Sequence, residues 1–181
     1  MSETLTVIGP SGEAATVADS ALTVRPQSDF QKAVEDGDAY SWSALTYDMT
    51  AKDTILGVEN NSSTKDLHIQ EIHIQSDTAS QFIVHTETGL TVGGTNVVTG
   101  VNLNRNSGNA APATAYDDET GNTAADGYTK RLITGLCAAD GNVVLELGGC
   151  IILPNDHFIG VDLTANAGAC NVTIIGYFKD R

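Results

Sequence analysis

The sequence predicts an all-β protein: an antiparallel β-sandwich of the jelly-roll kind, preceded by an extended N-terminal arm. Three observations predict it. From Tyr40 onward, apolar and polar residues alternate with period two, the signature of strands with one buried face. Charged residues are 18% of the 181-residue chain, below the usual ~25%. Gly, Thr, Asn and Val stand where long charged helix formers would be, which favours strands and turns. The apolar runs are short and recur every ~8–12 residues between turn signals, the spacing of a sandwich. No amphipathic segment is long enough to serve as a crossover helix, so an alternating βαβ fold is not expected.

Residues 1–38 differ in character from the rest of the chain. They are small and polar, with Gly9-Pro10, Gly12 and Pro26 as punctuation. Leu5, Val7 and Ile8 form one short apolar cluster, and Leu22 and Val24 another. Neither holds enough apolar area for a core. The segment reads as a tail, or as an arm that pairs its strands with a neighbouring subunit; those five residues are the candidate anchors. Within it, Gln31–Asp38 can form a short helical turn stopped at Gly37.

Residues 39–181 form the expected sandwich. In AYSWSALTYDM, Tyr40, Trp42, Ala44 and Thr46 share one face. DTILGVEN, around Ile55, Leu56 and Val58, is the next strand. In LHIQEIHIQ, Leu67 and Ile69 keep one phase and Ile72 and Ile74 the other. That slip predicts a β-bulge near Gln70-Glu71, or a change of buried face there. QFIVHT sets Phe82 and Val84 against Ile83. GLTVGGT is turn chemistry, and TNVVTGVNLNR sets Val101 and Leu103 against Asn102 and Asn104. The polar stretch 106–127 reads as a long loop, and a loop of that length is expected to be functional or to carry minor structure. Its exposed-contact candidates are Tyr116, Asp117, Asp118, Glu119, Asn122 and Asp126. TKRLITGL, NVVLELGG, CIIL, HFIGVDL and NVTIIGYF complete the strands, with a turn at Pro154-Asn155-Asp156.

The formal net charge is −14, from 23 acidic and 9 basic residues. Such a surface repels a phosphate backbone and anionic lipid, so neither nucleic acid nor membrane is an expected partner. It suits solubility, or display at high copy number where like charge limits clumping. Cys137, Cys150 and Cys170 are odd in number and lie in apolar contexts without a CxxC. They read as reduced, buried thiols of a protein made in a reducing cytoplasm. The N-terminus has neither the basic start nor the apolar stretch of a signal peptide.

Chemistry is thinly signalled. There is no G-x-S-x-G, HExxH or phosphate-binding Gly-rich loop. His68 and His73 are five apart, which puts them on opposite faces unless a bulge restores register; with the bulge, a face shared with His85 becomes possible. Exposed strand histidines are the preferred reading over a metal cluster. Oxygen-rich loops can hold Ca²⁺, but AYDDETGNTAADG lacks the twelve-residue EF-hand spacing and reads as a solvated acidic loop. Nothing selects a pair of carboxylates for glycoside chemistry. Tyr40, Trp42, Tyr47, Tyr116 and Tyr128 read as packing rather than a sugar site. No enzyme, cofactor or metal is expected.

The stretches AYSWSALTYDMTAKDTILGVENNSSTKDLHIQEIHI, GTNVVTGVNLNRNSGNAAPATAYDDETGNT and LELGGCIILPNDHFIGVDLTANAGACNVTIIGYF together resemble small virion proteins of tailed bacteriophages. The resemblance covers the last ~140 residues and rests on overall texture rather than on a motif. It implies a β-sandwich subunit of the phage particle. The first version is a capsid decoration, or cement, protein on the virion surface. Its partners would be the major capsid protein and copies of itself in a homotrimer. The alternative is a head-fibre or tail/baseplate component with a receptor- or glycan-binding role.

Overall fold

The computed structural model describes residues 6–8, 14–16, 27–44, 54–88, 96–119, 130–165 and 167–181. Strands β1 (Thr6–Ile8) and β2 (Ala14–Thr16) pair antiparallel as a two-stranded sheet. Helix α1 (Asp29–Asp36) is next. Then come β3 (Ala39–Ala44), β4 (Thr54–Asn60), β5 (Lys65–Ser76), β6 (Ser80–Thr88), β7 (Asn96–Val97), β8 (Val101–Asn102), β9 (Ala113–Glu119), β10 (Lys130–Cys137), β11 (Gly141–Leu153), β12 (His157–Leu163) and β13 (Cys170–Asp180).

These strands form two sheets packed face to face, an all-β sandwich. One runs β10-β6-β12-β4-β9-β7, the other β11-β5-β13-β3-β8, and every pairing is antiparallel. Alternation builds the core between them. Tyr40, Trp42 and Ala44 of β3, Leu56 and Val58 of β4, Phe82 and Val84 of β6, and Ile159, Val161 and Leu163 of β12 all point into one cluster. Burying each large aliphatic side chain contributes about 1.5–3 kcal/mol.

The phase slip in β5 is a bulge. On the β13 side, Ile175 faces Glu71 and the next residue, Gly176, faces Ile69, so Gln70 is passed over. On the β11 side, Glu146 faces Glu71 and Ile151 faces Ile69, so residues 147–150 loop out opposite Gln70. Gly148 and Gly149 take φ of 58° and 78° there, a left-handed conformation costly for residues with a Cβ. Leu67, Ile69, Ile72 and Ile74 are therefore all buried on one face despite their change of phase.

Helix α1 begins two residues before the predicted turn because Ser28 caps it. The Gln31 N–H donates to the Ser28 hydroxyl, and the Ser28 N–H donates back to the Gln31 side chain. It stops where expected, at Gly37 with φ 77°. There the N–H groups of Gly37 and Asp38 donate to the carbonyls of Val34 and Ala33. Asparagines satisfy further carbonyls of this end: Asn102 Nδ2 donates to Gly37 O at 2.8 Å and Asn104 Nδ2 to Glu35 O at 2.9 Å. Ala33 is buried, and Phe30 packs on Tyr177 of β13 with ring centroids 5.8 Å apart. Residues 28–38, grouped with the arm by sequence, thus pack on the sandwich.

Candidate functional site

Among the described residues, a dense cluster of buried polar groups lies on the outward side of the six-stranded sheet. In β6, Phe82 and Val84 face the core, so His85 faces away from it. Asp162 of β12 and Thr54 of β4 share its face. His85 Nε2 lies 2.6 Å from Asp162 Oδ1, and the Thr54 hydroxyl donates to the same oxygen at 2.6 Å. All three residues are 0% exposed. The carboxylate only accepts, so Nε2 carries the imidazole proton. Nδ1 is buried without a hydrogen-bond partner. The Phe158 ring meets the imidazole edge-on at 5.2 Å. An Asp–His pair orients a catalytic base when the second ring nitrogen faces a nucleophile. Here the nearby Thr54 hydroxyl donates to the carboxylate instead, so the arrangement serves as a cross-link of three strands.

A second cluster lashes α1 to the sandwich. Lys65 Nζ pairs with Asp38 at 2.6 Å, and Lys179 Nζ with Asp29 at 2.7 Å. The hydrogen bond from Lys179 holds the Asp29 carboxyl below its ordinary value, and the same bond raises Lys179. The hydrogen bond to Asp38 raises Lys65. Burial pushes the Tyr40 and Tyr177 hydroxyls up.

The predicted contact residues are dispersed. Tyr116 and Asp117 are not on an exposed loop: 113–119 is strand β9, paired with β4 on one side and β7 on the other. Asp117 is 2% exposed and accepts from the Asn96 N–H and side-chain amide at 3.1 and 3.0 Å. A carboxylate can sit in a strand because those donors replace water. Asp118 and Glu119 also belong to β9, while Asn122 and Asp126 lie outside the described residues. Of the arm candidates, Val7 and Ile8 belong to β1, whereas Leu5, Leu22 and Val24 lie outside the described residues. Among the described residues, no group of three or more His, Cys, Asp or Glu is placed to hold a metal ion.

Two readings of single residues are corrected. His85 is not an exposed strand histidine, because its strand lies inside the sheet and its outward face is covered. His68 and His73 are half-buried, the one stacked on Tyr177 at 5.0 Å and the other 3.0 Å from Glu71. Cys137 and Cys170 are buried, but Cys150 is exposed, because the looped-out residues of β11 turn it outward.

The remaining feature is on the rims. Among the described residues, six large hydrophobic side chains are exposed: Val97, Val101, Leu132, Leu136, Val144 and Ile152. They belong to β7, β8, β10 and β11, the four strands that end the two sheets. On the β10/β11 side, Ile133, Val143, Leu145, Leu147 and Ile151 are only partly buried against the core. Sequence alternation marks all these residues as apolar, but it does not tell which strands lie at an edge.

No helix among the described residues is long and apolar enough to cross a membrane. Comparison with protein-family models, curated proteins and solved structures finds no match.

Proposed function

We propose that the chain is a structural subunit of a tailed-bacteriophage particle, a decoration protein that binds the major capsid lattice and stabilises the head. In this reading it acts without catalysis or cofactor, in a homotrimer on the virion surface. The observation that carries the assembly part is the placement of every exposed large hydrophobic side chain among the described residues on a sheet-terminal strand. Open edges and apolar rims are what a protein covers by joining copies or partners. The phage part is supported by the resemblance of the last ~140 residues.

The jelly-roll winding belongs to the same proposal. Its support is the order β11-β5-β13-β3 facing β10-β6-β12-β4. From β3 to β6 and from β10 to β13, each successive strand crosses to the other sheet, as in two interlocked Greek keys.

Imaging of particles made with and without this chain tests the function. Density on the head at a copy number set by the capsid lattice, with empty-site particles opening at lower temperature, is the expected result. Density confined to a fibre or tail tip would replace it with the receptor-binding alternative, and particles free of the chain would end both.

A further inference from the structure

The two apolar rims lie on opposite sides of the sandwich. β10 and β11 end the two sheets on one side, and β7 and β8 end them on the other. We infer that a second copy of this chain docks here, the β10/β11 side of one copy packing against the β7/β8 side of the next. This deepens the assembly reading and rests on it for the expectation of many copies.

Three features favour a second copy. The first is extent. Strands rise about 3.4 Å per residue and stacked sheets lie about 10 Å apart. A side bounded by an 8-residue strand and by the nine residues of β11 that stay in its ladder is therefore about 27–31 Å long. With the outward side chains of both strands, its footprint is about 500–600 Å², toward the small end of specific interfaces, which take roughly 800 Å² per partner.

The second is charge. Copies at −14 each repel one another, so they can meet only where charge is sparse. Residues 96–104 carry no charged residue, and 132–153 carry only Asp140 and Glu146. Lys130 and Arg131, two of the nine basic residues, stand exposed at the start of β10. Against Asp140 and Glu146 they leave that rim close to neutral, and Lys130 is itself paired with Glu87 at 3.7 Å.

The third is the division of the apolar residues. Leu132, Leu136, Val144 and Ile152 lie on the strands that end one side, flanking it on the outer faces of the two sheets, and Val97 and Val101 lie on the strands that end the other. Leu136 is 80% and Val97 69% exposed. A two-fold contact would cover one rim and leave the other open, whereas a head-to-tail contact covers both on every inner copy, and on all copies where the rotation between them closes a ring. Against strand addition β11 has the four residues that loop out after Glu146, but neither proline nor more than one charge guards its edge from side-chain packing.

The test is mass in solution, without particles, so its failure and a failure of head binding are separate results. The wild-type chain should run at a multiple of its 18.9 kDa by light scattering coupled to size exclusion. The pair Leu136→Glu with Val144→Glu should run as single chains, and so should the pair Val97→Glu with Val101→Glu. Each pair leaves one rim intact. An equimolar mixture should therefore form a capped dimer at twice the single-chain mass. Leu136→Ser and Val97→Ser, which add no charge, serve the same scheme if a glutamate pair lowers the thermal midpoint. A wild type that stays at one-chain mass, a rim pair that leaves the mass unchanged, or a mixture that forms no dimer overturns the inference.

Discussion

Replacing Asp162 by alanine tests the strand cross-link most directly. Asp162 accepts from His85 Nε2 and from the Thr54 hydroxyl, each at 2.6 Å, in a site with no exposure. Truncation leaves two buried donors unsatisfied, beside an Nδ1 that already lacks a partner. Each orphaned group costs about 1–3 kcal/mol. Two such groups together put the cost at about 2–6 kcal/mol, a large part of the roughly 5–15 kcal/mol that holds a domain. For a chain of this length that lowers Tm by about 4–24 °C. Urea unfolding followed by Trp42 fluorescence reads the change as a lower midpoint at constant slope. The control is Thr54→Val with His85→Phe and Asp162→Leu, which removes every polar member and keeps volume. It should lie within about 1.5 kcal/mol of wild type. A loss below about 1 kcal/mol for Asp162→Ala would place the cluster in contact with water. A triple variant as unstable as the single would show that volume, not hydrogen bonding, sets the cost.

Three further outcomes are expected from other parts of the molecule. Gly37→Ala should cost at least about 1–2 kcal/mol by urea unfolding, because φ is 77° and a Cβ there would meet the Ser107 side chain. In native buffer a thiol reagent should modify one cysteine, Cys150, and in denaturant all three; native labelling of Cys137 or Cys170 would contradict their burial. Docking of α1 should hold from weakly acidic to weakly alkaline pH and weaken at both ends. Asp29 is depressed when folded, so its contribution is present above the ordinary aspartate range and is lost as pH falls through the folded value. Lys65 and Lys179 are raised, so theirs is complete below the ordinary lysine value and is lost as pH rises through the folded ones. Lys179→Met should blunt both limbs, read from the NMR shifts of Ala33 and Phe30, while identical profiles would show that the pair does not hold the helix.

Much of the fold was legible because it rests on local pattern. Tyr40, Trp42 and Ala44 share a buried face as their spacing requires, and Gly37 ends the helix by its own backbone freedom. The slip between Ile69 and Ile72 marked a bulge because a strand can keep one face buried across a phase change only by adding a residue. The helix start was also written, in Ser28-Asp29-Phe30-Gln31, a capping box. β9 was obscured because ATAYDDE places an acid, Asp117, at a buried position whose donors come from Asn96. In TNVVTGVNLNR the alternation was visible but not its sense: Asn102 is buried on the helix end and Val101 is exposed. The partners of the cross-link could not be read, since His85 and Asp162 are 77 residues apart and meet only through the pairing of β6 with β12. One hint was present: Asp162 interrupts the apolar run FIGVDL, where a charge needs a partner.

Both polar clusters are turned toward the protein itself. Thr54, His85 and Asp162 bind three strands of one sheet, and the Lys65–Asp38 and Lys179–Asp29 pairs bind the helix to the other. The rims carry the opposite character: apolar side chains, sparse charge and sheet edges with a neighbour on one side among the described residues. A regular 13-residue edge would invite unlimited strand addition. The four residues that loop out of β11 opposite Gln70 interrupt it after Glu146, so a copy arriving there cannot extend the sheet along its whole length. Such an edge favours packing of side chains between copies over continuous strand pairing, and contacts of that kind end at a fixed number of copies when their geometry closes.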